Sequence, residues 1–242
     1  MDDFFLHFEY QNFILAFLYV ILSFMIFHFI STSVKIQKYF IGKFGIEDYS
    51  VFQITFNRMF AISIYGIIPF LIIVFSKNIK LIEFGLNFKN IHTNIGWILL
   101  LCLLTIIINY INKATSDNLK LYPQIRKKEW NIPLLIFSAL GWIAYLCAYE
   151  FLFRGYLLYT CFYAFGTWPA IIINVVIYSL IHVPKGRKEA IGAIPLGFIL
   201  CLLTLKSGNI FAALLIHITM ALSNEWLTLA IHQDIHLVRK KS

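Results

Sequence analysis

Apolar residues run along the chain in blocks rather than in alternation. The blocks cover approximately residues 12–31, 59–76, 94–112, 132–165, 168–183, 190–205 and 209–230, with short polar stretches between them. A bilayer core of about 30 Å takes about 20 helical residues, so each block predicts a membrane-crossing helix. Strands are excluded because an open sheet edge finds no hydrogen-bond partner in lipid. The block 132–165 is too long. As one straight helix it would measure about 50 Å at the helical rise, so it must tilt, protrude or break, with Arg154-Gly155 the natural place. The pattern predicts an all-α polytopic membrane helical bundle of about seven to eight transmembrane helices, forming a single domain over 1–242.

Composition supports this class and removes others. Hydrophobic residues make up 60% of the chain and charged ones 13%, about half the charged share of an average soluble domain. Phe alone counts 24, and the mean hydropathy is +0.78. A soluble globule of this size could not hide so much apolar surface. A disordered chain, a coiled coil and a disulfide scaffold are excluded as well. Cys102, Cys147, Cys161 and Cys201 all lie inside apolar blocks and read as small packing residues. Trp97, Trp130, Trp168 and Trp226 fall near block ends, as interfacial anchors should.

The net charge of +8 does not point to nucleic acid. The basic residues sit between apolar blocks, as the positive-inside bias requires, and no nucleic-acid motif occurs. One side collects Lys35, Lys38, Lys43, Lys113, Lys120, Arg126, Lys127, Lys128, Lys185, Arg187, Lys188, Arg239, Lys240 and Lys241; the other holds Lys77, Lys80, Lys89 and Lys206. This asymmetry predicts seven crossings, with the N-terminus outside and the C-terminus inside. The acidic start Met1-Asp2-Asp3 lacks a cationic n-region, so the first block reads as a retained span.

Ionisable groups inside spans cost several kcal/mol each and are functional candidates by default. Here they are Arg58, Glu150, Arg154, His182, Glu189, His217 and Glu225, with His28 also inside a block. Glu150 and Arg154 share a helix face at i, i+4 in the favourable order; the pair would serve either chemistry or packing. Asn174, Tyr178 and His182 form a polar stripe that Pro184 terminates. His182 reads as a catalyst or as a hydrogen-bonded interfacial histidine. Glu189 reads as a further carboxylate or as an acid suited to a helix start. His217 and Asn224 lie two turns apart on one face. Asn57 and Arg58, and Asn109 and Asn112, read as span-edge residues, and His232, Asp234 and His236 as a solvated tail. A Glu, an Arg and two His on separate spans can activate water and stabilise an oxyanion. Two His and one Glu lack a tight metal spacing such as H-E-x-x-H. Ser179 and Ser223 lack a G-x-S-x-G context.

Tyr149-Glu150-Phe151-Leu152-Phe153-Arg154-Gly155, Tyr178 through His182, and His217 resemble, in that order, the three motifs of the CPBP family of intramembrane proteases. That group holds the CAAX-processing prenyl proteases and the bacteriocin-immunity-associated (Abi) membrane proteins. The resemblance covers roughly 141–226, within a protease-like core at about 131–230. It implies peptide hydrolysis within the membrane of a bacterial cell, on a peptide or membrane-protein substrate. Glu150 and His182 would share the water, His217 and an Asn would hold the oxyanion, and Arg154 would orient the Glu. The implied cofactor is none beyond a catalytic water, with a divalent metal left open. Membrane lipid is the surrounding partner, no nucleic acid is expected, and the oligomeric state is left open. Two departures stand out. Tyr149 occupies the place of the family's first Glu. Ala221 occupies that of its Asn, with Asn224 one turn further. Glu189 is a possible extra carboxylate. Glu150, His182 and His217 are expected to face one hydrated cavity. The competing readings are a non-catalytic immunity or scaffold protein, and a small transporter using the buried Glu and His groups as a proton relay.

Overall fold

The computed structural model describes residues 2–76 and 80–238, with side chains from residue 9 onward. Lys77, Arg239, Lys240 and Lys241, which enter the charge asymmetry above, lie outside these residues. Among the described residues, seven helical stretches are long and apolar enough to cross a membrane: Glu9–Ser31, Val34–Phe75, Ile91–Asn112, Ile132–Phe165, Thr167–Lys185, Arg187–Ser207 and Phe211–Leu229. The all-α membrane class read from the blocks is therefore what is found, and the chain is an integral membrane protein. In chain order the helices are α1 (Asp2–Ser31), α2 (Val34–Ala61), α3 (Ile68–Phe75), α4 (Ile95–Asn112), α5 (Ser116–Leu121), α6 (Ile132–Glu150), α7 (Leu158–Phe165), α8 (Thr167–Leu180), α9 (Arg187–Ser207) and α10 (Phe211–Leu229).

The overlong block does not break. A π-helical turn, Phe151–Leu157, joins α6 to α7 without interruption. It falls where a break was expected, because the Phe153 carbonyl is taken by Asn174 Nδ2 at 2.8 Å, and an inserted side chain is a recognised cause of such irregularity. A second π turn, Ile62–Ile67, joins α2 to α3. Pro69 follows it and has no N–H to give. The Ile64 carbonyl is satisfied instead by the Tyr19 hydroxyl at 2.5 Å.

The residues cluster into two compact units. Unit 1 comprises Met1–Ile26, Ser63–Gly96 and Cys147–Leu214. Its part of α1 turns Ala16 and Val20 fully inward, one helical turn apart, and Phe24 stacks on Tyr65 with centroids 4.6 Å apart. The α7–α8 link bends at Gly166 (φ 81°), a left-handed angle that favours glycine. α9 packs along α8, with Gly197 against Tyr178 and Cys201 bonded to Asn174. Small residues at such spacing let two membrane helices approach closely.

Unit 2 comprises Phe27–Ile62, Trp97–Leu146 and Leu215–Ser242. α2 is non-helical at Gly45 (φ 77°, ψ 167°). The chain folds back there, so that Phe44 stacks on Phe52 at 3.6 Å and Phe40 meets Phe56 at 5.7 Å. α4 buries the stripe Ile98, Leu101, Thr105 and Asn109. Its other faces leave Leu99, Leu103 and Ile111 more than half exposed, as lipid contact demands. Asn109 is no idle edge residue. It donates to Met220 O and Ser223 Oγ, both at 2.8 Å, tying α4 to α10.

The tail after α10 is also structured. Strand β1 (Glu129–Trp130) pairs in parallel with β2 (His236–Leu237), and Arg126 Nη1 meets His232 Nε2 at 3.3 Å. Trp97, Trp168 and Trp226 are exposed at span ends as anchors should be, but Trp130 is not. It is fully buried against Ile125, Leu229 and Ile235. Pairing with the returning tail carries its ring inward.

Candidate functional site

Glu150, Arg154, Tyr178 and His182 of unit 1 form one continuous run from the end of α6 through the π turn to just past the end of α8. Glu150 ends α6, and Arg154 lies within the π turn that follows. Both side chains are fully buried, with Arg154 Nη1 3.4 Å from each Glu150 carboxylate oxygen. The guanidinium carbon then sits 4.2 Å from the centroid of Tyr178, a distance suited to cation–π attraction. Tyr178 in turn lies 4.6 Å from the His182 ring. An acid, a cation, an aromatic face and an imidazole thus stand in sequence, all of them buried. π turns recur at functional sites. This one supplies both Arg154 and the carbonyl that anchors Asn174 of α8.

His182 lies just beyond α8 and caps a short 3-10 turn, Val183–Lys185, that contains Pro184. Its Nδ1 is 2.6 Å from the Tyr178 carbonyl. A carbonyl only accepts, so Nδ1 carries the proton, and in the neutral ring the lone pair is on Nε2. This is the tautomer a water-activating histidine needs. Gly197 of α9 closes the back of the run. A Cβ there would stand 3.0 Å from Tyr178 Cδ1 and 3.7 Å from Arg154 Nη2. Cys201 Sγ donates to Asn174 Oδ1 at 3.2 Å, holding α9 to α8 one turn further on.

Tyr149, at the family's first Glu position, is 4% exposed. Its ring lies 4.9 Å from Phe153, 5.9 Å from Phe24, 6.1 Å from Tyr178 and 6.3 Å from Tyr65. It therefore fills an aromatic cluster, while Glu150 turns to Arg154. Glu189 stands in the first turn of α9, partly exposed. His217 and Asn224 belong to unit 2, on α10, and are 7% and 9% exposed. Among the described residues no group of three or more His, Cys, Asp and Glu could hold a metal ion.

Two buried residues were underrated by sequence reasoning. Arg58 and Glu225 are 6% and 0% exposed and belong to one hydrogen-bonded network in unit 2. The rule that ionisable groups in spans are functional candidates could have ranked Arg58 higher. Its place at the start of an apolar block hid it.

Residues 128–223 match the family model described as type II CAAX prenyl endopeptidase Rce1-like. No curated protein and no solved structure matches the chain. The matched segment takes in Tyr149–Gly155, Tyr178–His182 and His217. Over that segment the sequence is similar to this protease family, in agreement with the resemblance drawn from the three motifs.

Proposed function

We propose that the chain is an intramembrane endopeptidase of the glutamic type, acting on a peptide or membrane-protein substrate. Glu150 and His182 share the attacking water and take its proton. The resulting hydroxide adds to the scissile carbonyl, and His217 and Asn224 hydrogen-bond the oxyanion. Collapse of the tetrahedral intermediate returns the proton to the departing amine. Arg154 orients Glu150, and Glu189 is the reserve carboxylate. The observation that carries the reading is the buried run from Glu150 through Arg154 and Tyr178 to His182, inside the segment that matches a protease family. The basic side of the chain faces the interior of a bacterial cell, with the N-terminus outside.

A second reading has a specific observation in its favour. Tyr149 stands packed where the family has its first Glu, and Glu150 engages Arg154. A phenol with a pKa near 10 is a poor base at neutral pH. On that reading the chain is a non-catalytic immunity or scaffold protein.

One experiment separates the two. Protein in lipid nanodiscs is presented with a peptide library as wild type, Glu150→Gln, Glu189→Gln and Tyr149→Glu. The enzyme reading expects wild-type cleavage that falls about 10²-fold or more in Glu150→Gln, the scale for loss of a general base. Cleavage that neither carboxylate substitution reduces sinks both assignments. Cleavage appearing only in Tyr149→Glu establishes the non-catalytic reading.

A further inference from the structure

Unit 2 holds a second set of buried polar groups, which the proposed chemistry leaves unused. They close into a ring. Arg58 Nη1 of α2 donates to Ser138 Oγ of α6 at 3.3 Å. That hydroxyl donates to Glu225 Oε1 of α10 at 3.4 Å. The other carboxylate oxygen accepts the Gln124 backbone N–H at 3.1 Å. The Gln124 side-chain carbonyl accepts from Arg58 Nη2, also at 3.1 Å. Arg58 Nη1 further donates to the Ser138 carbonyl at 2.8 Å. The directions are consistent throughout: the serine's single proton goes to the carboxylate, and its lone pair receives the guanidinium.

The surroundings are shaped to the ring. The Trp142 ring centroid lies 4.5 Å from Arg58 Cζ. Gly141 leaves room for the guanidinium, since a Cβ there would stand 3.0 Å from Nη1. The opposite charges meet through Ser138 and Gln124, so the geometry is set by four residues rather than by one contact.

The ring grips α10 at Glu225, beside Asn224 and eight residues after His217. Neutral hydrogen bonds also hold this helix, from Asn109 to Ser223 and from Asn118 to Thr228. The ring differs in carrying charge. Turning α10 by one residue, about 100°, would withdraw the Glu225 carboxylate from both its donors and strand two charges in a buried, apolar setting.

We propose that Arg58, Gln124, Ser138 and Glu225 are positioning residues that fix the rotation of α10, and with it the side chains of His217 and Asn224. The effect on catalysis rests on the endopeptidase reading; the claim about rotation does not.

The test therefore has two readouts, on two variants. Arg58→Lys keeps the charge, but a single ammonium cannot reproduce the guanidinium fork. Arg58→Met/Glu225→Met removes both charges together. The first readout is disulfide formation in nanodiscs between cysteines introduced at 109 and 223, the native contact, or at 109 and 222, the neighbouring position, mapped by mass spectrometry. The native pair should dominate with the ring intact. Both ring variants should lower the 109–223 yield and raise the 109–222 yield several-fold. The second readout is peptide cleavage, where both variants should lower kcat by about 10- to 100-fold with KM nearly unchanged. A wild-type disulfide pattern in folded ring variants overturns the proposal; a shifted pattern with unaltered kcat supports the claim about rotation and overturns the catalytic roles of His217 and Asn224. If wild type cleaves nothing, the endopeptidase reading falls and the disulfide pattern alone decides the claim about rotation.

Discussion

Arg154→Met is expected to destabilise the protein by about 3–5 kcal/mol, the cost of leaving one partner of a buried ion pair uncompensated. Both side chains are at 0% exposure, and Arg154 Nη1 bridges the two carboxylate oxygens. The Glu150 carboxylate would then keep its charge at a fully buried position without the guanidinium. The double substitution Glu150→Leu/Arg154→Met should recover most of the loss, because removing both charges also removes both desolvation penalties. Thermal unfolding of the purified protein in detergent measures each variant, and the double-mutant cycle isolates the coupling. An Arg154→Met protein as stable as wild type would show that the pair does not bear charge in the folded state.

Trp130→Ala is the second large effect. The indole is fully buried against Ile125, Leu229 and Ile235, with Val51, Ile54, Leu134 and Leu135 around it. Emptying such a site costs about 3–5 kcal/mol. The loss should be read first in the tail, since the Trp130 carbonyl accepts the Val238 N–H at 2.7 Å. Limited proteolysis should cut within 230–238 in Trp130→Ala before any other site opens. Trp130→Phe should resist much better, because the indole Nε1 makes no hydrogen bond among the described residues. Equal proteolysis of the Phe and Ala variants would mean that the ring is not what holds the tail.

Most of the architecture was legible because lipid imposes one rule on the backbone. Uninterrupted apolar blocks mark helices, and the block boundaries fall within a few residues of most helix ends. The first failure is α2. Its N-terminal part is polar enough to escape a search for apolar runs, so Arg58 looked like an edge residue when it lies within the helical stretch that runs from beyond the Gly45 kink through the π turn into α3. Its ring partners Gln124 and Ser138 are 66 and 80 residues away, beyond the reach of any local pattern. Trp130 failed for the opposite reason. Aromatic residues at span ends do prefer the interface, but a two-residue strand pairing overrides that preference, and nothing in His236-Leu237 announces it. Within the candidate site, the i, i+4 spacing of Glu150 and Arg154 was readable directly. Tyr178 appeared only as one step of a stripe. That it lies between the guanidinium and the imidazole depends on how α8 meets the π turn.

The π turn at Phe151–Leu157 also has a meaning for the lineage of such chains. A helix keeps angular phase, and a π turn is where one residue more than the α-helical count has been accommodated. Deleting a single residue there would restore regular winding at little cost in backbone hydrogen bonds. Because the wider turn absorbs that residue, the later side chains of α7 already face as they would in a regular helix. Tyr159, Thr160 and Cys161, all buried now, would therefore stay inward after the deletion, while Arg154 and the Phe153 carbonyl, inside the turn, would be re-aimed. A one-residue deletion elsewhere in α6 or α7 would instead turn every later side chain by about 100°, so length variation within this span should be confined to the π turn.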